Sequence, residues 1–197
     1  HASPSRSSIA LWMLEEVGAP YEVHLLKLDK GENLTPQYKA INPMGKVPAL
    51  RHGDTVITEV AAICTYLADE FPAAKLNVPI GTPLRGVYLK WLFFGPGCLE
   101  GAVIDRAAPR KDPPRRAMLG YGDFETTMDT VAAAVAKGPW LMGEQFTAAD
   151  VVIGANIRWG MRFKMLPERP EFTAYAARIA ARPAAQRAEA RDKALAA

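Results

Sequence analysis

The stretch Asn42-Pro-Met-Gly-Lys-Val-Pro-Ala-Leu50 restricts what this chain can fold into more than any other. Val47-Pro48 stands at the mouth of a short apolar strand, Pro48-Ala-Leu50, and Gly53-Asp54 then turns the chain back into Thr55-Val-Ile57, which spells a β-hairpin. Proline has no N–H, so at the start of a strand it leaves the Val47 amide and carbonyl free to pair with something other than the sheet. An extended peptide can pair there. The sharp turn this requires predicts a cis bond at Pro48, because X-Pro bonds are the ones in which cis is cheap. In the following Thr58-Glu-Val-Ala-Ala-Ile-Cys-Thr-Tyr-Leu67 the apolar residues recur at helical spacing, which puts Glu59 and Val60 at a helix start. A helix N-terminus offers unpaired N–H groups to a carboxylate.

Before this hairpin, polar His1-Ala-Ser-Pro-Ser-Arg-Ser-Ser8 leads into Ile9-Ala-Leu-Trp-Met-Leu-Glu-Glu-Val17, a helix stopped by Gly18 and Pro20. Ser5, Ser7 and Ser8 are all of the type that caps a first turn. Tyr21 to Leu28 has strand composition, and Thr35-Pro36-Gln37-Tyr38 reads as a cap, a proline at the first helical position and a short helix ending by Asn42-Pro43. The order helix, strand, short helix, hairpin, helix is that of a thioredoxin-like α/β unit without its opening strand. A strand of about five residues is therefore expected upstream of His1, since a helix that leads into a parallel strand needs an earlier strand to pair with.

After Phe71-Pro72 the composition changes. Residues 73–83, with Pro79, Gly81 and Pro83, read as a linker, and beyond it strand signals vanish. Leu84 to Arg106 reads as a helix that Pro96 must kink or break, and Met118 to Ala136 as another. Thr147-Ala-Ala-Asp150 is a capping box opening a helix that is apolar nearly all round and so should be buried. Glu171 to Ala188 supplies the last helices, broken at Arg182-Pro183. The expected domains are 1–72, α/β and thioredoxin-like, and 84–197, all-helical.

With 197 residues and 49% of them apolar, the chain is long enough for a packed core. Its apolar runs are interrupted before the roughly 18 residues of a membrane span, and its first residues lack a signal peptide's apolar centre, so a soluble cytoplasmic protein without membrane contact is expected. A net charge of +3 with acids and bases interleaved gives no nucleic-acid surface. The two cysteines, Cys64 and Cys98, form neither a disulfide framework nor a metal spacing. The three histidines, His1, His24 and His52, suggest no Ser-His-Asp set, although spacing alone does not exclude one.

A peptide edge beside a helix terminus resembles the glutathione-binding half of the glutathione S-transferases. The residues that carry the resemblance are Asn42-Pro43-x-Gly45-Lys46-Val47-Pro48-x-Leu50 and Ile57-Thr58-Glu59-x-x-Ala62-Ile63-x-x-Tyr66-Leu67, and the second half adds Trp140-Leu-x-Gly143-Glu-x-Phe146-Thr147-x-Ala149-Asp150. The likeness extends from residue 3 to about residue 188. It implies the two-domain fold above, glutathione as co-substrate, no further cofactor and no metal, a small hydrophobic electrophile, and a homodimer. The family's acidic residue is followed by serine; here that position is Val60.

Glutathione transfer requires a thiolate at neutral pH, although a free thiol has a pKa of about 8.5. Hydroxyl donors at the start of the first helix, helped by its dipole, stabilise the anion without a metal. This chain has neither tyrosine nor cysteine in that window, so a serine type is implied, with Ser5 the first candidate and Ser3 and Ser7 the others; Ser7 and Ser8, taken singly, are explained equally well as caps. The resemblance assigns glutathione binding to Lys46, Val47, Pro48, Glu59 and Val60. Tyr88, Trp91 and Arg106 are candidates for the electrophile's wall, though an aromatic stripe at helical spacing is more often core. The alternative is a non-catalytic relative that binds hydrophobic ligands or protein partners, and Val60 is the residue that separates the two.

Overall fold

The computed structural model describes residues 1–196. They form two compact units, residues 1–74 together with the chain from Ala181 on, and residues 75–180.

The first unit opens with α1 (Ser7–Val17), closed by Gly18, whose left-handed φ of 69° lets its N–H reach Leu14 O. A short helix α2 (Pro36–Lys39) starts as its sequence requires: Thr35 Oγ1 accepts from the Tyr38 N–H at 3.3 Å, and Pro36 occupies the first turn. Strands β1 (Ala49–His52) and β2 (Thr55–Thr58) pair antiparallel with His52 opposite Thr55. Gly53, at φ 58°, takes the first position of the two-residue loop, where positive φ is needed. Helix α3 (Val60–Glu70) follows at once, burying Ala61, Ile63, Cys64, Leu67 and Ala68. A lone hairpin is marginal in water. Here it is backed by α3, which packs in turn on α1.

Over the strand expected at Tyr21–Leu28, residues 21–27 have no regular structure and no ladder, and Leu28 opens a 3-10 turn, Leu28–Lys30. Two bonds partner the segment, His1 N to His24 O at 2.9 Å and Leu26 N to His1 O at 2.8 Å, the pattern of a single parallel pairing. A strand needs a continuous partner to be one, so composition alone overstates this segment.

The last helix, α9 (Pro183–Ala196), belongs to this unit. Sequence periodicity carries the helical run through to residue 197; in space, from Ala181 on, the chain lies against α1. Arg182 makes a two-pronged ion pair to Glu16 at 2.6 and 2.8 Å, Arg187 reaches Glu15 at 2.8 Å, and Ser8 Oγ donates to Asp192 Oδ2 at 2.7 Å. None of these pairings is local in sequence, so helical periodicity does not reveal them.

The second unit holds α4 (Leu84–Phe94), a π-helical turn at Gly95–Leu99, α5 (Glu100–Ala107), α6 (Phe124–Val135), α7 (Ala148–Arg162) and α8 (Pro170–Ala180). Pro96 is expected from sequence to kink or break the first of these. The π turn instead absorbs the missing N–H and lets α4 run into α5 as one helix of 24 residues. That helix is long and apolar enough to pass a length-and-composition test for a membrane span, as core helices also do; Tyr88, Leu92 and Leu99 are fully buried and it packs against α6 and α7. Helix α6 starts later than its periodicity suggests because Asp123 caps it, accepting from Thr126 N at 2.7 Å. Helix α7 is the buried one, with Val151, Ile153 and Ile157 at 0% exposure. Its neighbours come very close: a Cβ on Gly154 would collide with Ile179 of α8, and one on Gly95 would lie 2.5 Å from Val152 Cγ1.

Candidate functional site

Loop 42–46 is held from inside. Tyr38 Oη and Asn42 Nδ2 both donate to the Lys46 carbonyl, at 2.7 and 2.8 Å, and Asn33 Nδ2 donates to Gly45 O at 2.7 Å. Asn42 is 3% exposed and also accepts from Met44 N. Gly45 has φ 62°, and a Cβ there would meet Asn33 O at 2.9 Å. The loop is thus a rigid bracket for Val47 and Pro48. The Val47–Pro48 bond is cis, as expected, and Pro48 is buried. Among the described residues no hydrogen bond engages the Val47 N–H or C=O, which lie before the first ladder pair, Ala49 with Thr58. The Lys46 side chain is exposed. Sequence reasoning finds Lys46, Val47 and Pro48 but misses Tyr38 and Asn33, whose part is to fix the bracket; only the fold brings them to it.

Glu59 lies between β2 and α3 at φ 65°, ψ 121°, a conformation that costs a non-glycine residue about 1–3 kcal/mol. Its carbonyl accepts from Ile63 N at 2.9 Å, and its side chain is exposed and makes no cap to the helix. The first N–H groups of α3, beginning with Val60, have no acceptor within the helix and point at whatever lies before it. Val60 itself is half-buried and brings no hydroxyl.

The serines form a connected cluster. Ser5 Oγ donates to Ala2 O at 2.6 Å, lies 2.7 Å from Ser7 Oγ, and accepts from Ser7 N at 3.1 Å. Ser7 Oγ donates to Ala2 O at 2.9 Å and accepts from Ala2 N at 3.0 Å. Capping is therefore not what these hydroxyls do in the expected way: Arg6 is the N-cap residue of α1 and makes no side-chain cap, while Ser5 tightens the turn before it. Ser7, at 2% exposure, is enclosed, whereas Ser3 and Ser5 are half-buried. Ser3 and Ser5 are both partly open and both joined to the enclosed network, Ser3 through Asp192 and Ser5 through Ser7; Ser5 is the one that meets the buried serine directly.

That network extends to two residues that no local sequence signal selects. His1 Nδ1 lies 2.9 Å from Ser7 Oγ, and His1 Nε2 lies 2.9 Å from Asp192 Oδ1. The side chains of His1 and Asp192 are 7% and 21% exposed. Burial pushes the Asp192 carboxyl up, but hydrogen bonds from His1, Ser8 and Ser3 outweigh it and hold the group below the usual carboxylate range. Asp192, His1 and Ser7 are thus a hydrogen-bonded Asp-His-Ser series, with Ser7 buried and Ser5 as its open end. The spacing of 191 residues between His1 and Asp192 hides it from any motif search.

In the second unit Tyr88 and Trp91, at 0% and 5% exposure, are core residues, with Trp91 edge-on to Phe94 at 5.3 Å. Arg106 is exposed and lies over the Phe124 ring at 5.5 Å. The aromatic stripe of α4 is core for the reason its spacing allows: positions 88, 91 and 92 share the face turned to the neighbouring helices. Asp150 is 0% exposed and fully engaged, accepting from Thr147 N, Leu141 N and Tyr175 Oη at 2.6–2.9 Å. Burial raises its pKa against the pull of those bonds.

Comparison with known proteins agrees with this architecture. The family model for the glutathione S-transferase N-terminal domain matches residues 5–70, and that for the C-terminal domain matches residues 125–183. Glutathione S-transferase GstA of Escherichia coli O157:H7 is 32% identical over 162 residues, covering 81% of this chain and 78% of its own. Among solved structures, a glutathione transferase from Methylococcus capsulatus superposes with a TM-score of 0.82 at 29% identity, covering 98% of this chain and 97% of its own. A sphingomonad glutathione S-transferase complexed with glutathione gives 0.81 at 25% identity, with the same coverage. By both domain matches and by these relatives, a chain with a hairpin edge left unpaired, a helix start beside it and a capped, buried helix in its second unit belongs to the glutathione S-transferase family.

Proposed function

We propose that this chain is a serine-type glutathione transferase that activates the glutathione thiol for attack on a hydrophobic electrophile. The observation that carries the reading is the Val47 backbone, whose N–H and C=O are held in place by a braced loop yet bonded to nothing among the described residues. An extended tripeptide satisfies both groups as an added strand would. The start of α3 receives the glutamyl carboxylate on its free N–H groups, the exposed Glu59 carboxylate faces the ammonium of the same residue, and Lys46 pairs with the glycine carboxylate at the other end. Ser5 donates to the sulfur anion at the positive end of α1. The solved relative complexed with glutathione is consistent with such a ligand. A homodimer is part of the reading, and light scattering at micromolar concentration tests it by giving twice the chain mass.

One observation favours a second reading. Val60 withholds a hydroxyl from the carboxylate, which weakens binding by about 1.5–3 kcal/mol, or ten- to a hundredfold. A non-catalytic relative that carries hydrophobic ligands or protein partners would tolerate that loss. Calorimetry with millimolar glutathione, then a conjugation assay with an activated aryl halide, decides between them. Heat and turnover are expected; no heat at millimolar glutathione selects the second reading.

A further inference from the structure

A hydroxyl has one proton, and the serine cluster has more acceptors than protons. Ala2 O is within bonding distance of both Ser5 Oγ and Ser7 Oγ, and His1 Nδ1 competes for Ser7. Where the Ser7 proton goes decides Ser5: given to His1 Nδ1, it leaves Ser5 to serve Ala2 O with its proton inward; given to Ala2 O, it releases Ser5 to donate elsewhere. The His1 ring that takes part in this choice is oriented by Asp192, 2.9 Å from its Nε2 and largely out of water. The carboxylate is itself steadied by Ser8 at 2.7 Å.

We propose that Asp192, on α9, is a positioning residue that acts through the orientation of His1 and Ser7 on the direction of the Ser5 hydroxyl proton, and so on its bond to the sulfur anion. Resting on the serine-type reading above, this makes α9 part of the thiolate-stabilising machinery as well as a packing element. The other charged residues on the facing surfaces of α1 and α9 are engaged elsewhere: Glu15 with Arg187, Glu16 with Arg182, Lys193 with Glu189, and Arg191 over the Tyr21 ring at 4.6 Å. On the extended segment beside His1, His24 contributes its backbone carbonyl. Asp192 is the carboxylate that meets the ring.

The experiment tracks bound-glutathione thiolate by its ultraviolet absorbance across pH, with kcat, KM and melting temperature, in the unaltered protein and in Asp192→Asn, Arg187→Ala, Ser5→Ala and the double variant Ser5→Ala/Asp192→Asn. Asparagine keeps the size of the side chain but not the paired acceptors that hold the ring. Asp192→Asn should move the thiolate titration up by about one pH unit and lower kcat at neutral pH about tenfold, with KM for glutathione nearly unchanged. Arg187→Ala, which removes an ion pair between α9 and α1 away from the serines, should lower the melting temperature and leave the titration in place. The double variant should be no worse than Ser5→Ala, because both changes act on one proton. If Ser5→Ala shifts the titration and Asp192→Asn does not, the positioning role is overturned while the serine-type reading stands. If Asp192→Asn and Arg187→Ala lose activity only in step with their melting temperatures, Asp192 is structural and the proposal falls. If Ser5→Ala leaves the titration unmoved, the serine-type reading fails and takes this one with it.

Discussion

Asp150 and Ser5 are both ringed by hydrogen-bonding groups, but in one case the bonds are complete and in the other they are oversubscribed. Asp150 takes the Leu141 N–H and the Tyr175 hydroxyl on one oxygen and the Thr147 N–H and hydroxyl on the other, inside a helical core, so both oxygens are fully engaged. Ser5 shares Ala2 O with Ser7, shares Ser7 with His1, and lies half-open at the start of α1. In the same unit, Val47 shows the same contrast in the backbone, with its polar groups rigidly placed and unused. Completed networks in low dielectric favour a single structure, whereas incomplete ones keep a capacity for ligand. The second unit is built for the former and the first, around its hairpin and serine loop, for the latter.

Breaking the complete network should have the largest effect on stability. Asp150→Ala leaves Leu141 N, Thr147 N and Tyr175 Oη without their acceptor in a buried site, so urea unfolding should show a loss of about 3–5 kcal/mol, or no folded protein. Equal stability in this variant would mean that the contrast between the two regions is not real. Ser5→Ala should invert the pattern. Its three bonds belong to a surface turn, so stability should fall by about 1 kcal/mol, while conjugation at neutral pH should fall roughly tenfold to a thousandfold.

Smaller changes sharpen the comparison. Gly154→Ala pushes a methyl into Ile179 where two helices nearly touch, and should cost about 1–3 kcal/mol in denaturant melts with kcat per folded molecule unchanged. Val60→Ser supplies the hydroxyl missing at the start of α3, and should tighten glutathione about tenfold by calorimetry without altering the melting temperature much. The smallest expected effect concerns acid. The Asp192 carboxyl is held below its ordinary value in the folded chain, so its contribution is complete above the unfolded carboxylate pKa of about 3.9 and is lost as the pH falls from there through the lower folded value. Melting temperature measured from pH 5 downward should therefore drop more steeply in the unaltered protein than in Asp192→Asn.

Elements whose signals are local are legible in the sequence. Gly18 ends α1, Thr35-Pro36 starts α2, Gly53 turns the hairpin, and Thr147 with Asp150 opens α7, each because the residue type answers a backbone need within four positions. The same holds for the local geometry at Val47, Pro48 and Glu59, where an unpaired backbone before β1 and a helix start are both spelled by neighbouring residues. Where a partner lies far away, sequence is a poor guide. Tyr21–Leu28 has strand composition without a ladder to join, and Pro96, which reads as a break, sits in a π turn that keeps the helix running.

The sequence by itself determined the turns, caps and apolar faces, and through them the two-part architecture and the peptide edge, since all of these depend on residues a few positions apart. Tertiary structure alone decided that α9 returns to α1, that Tyr88 and Trp91 are core, and that His1 meets Asp192 beside the serines. Those outcomes depend on which faces bury against which, and on polar groups brought within 3 Å only after the chain has closed, a pairing whose energy is set by distance in space and by exclusion of water rather than by separation along the chain.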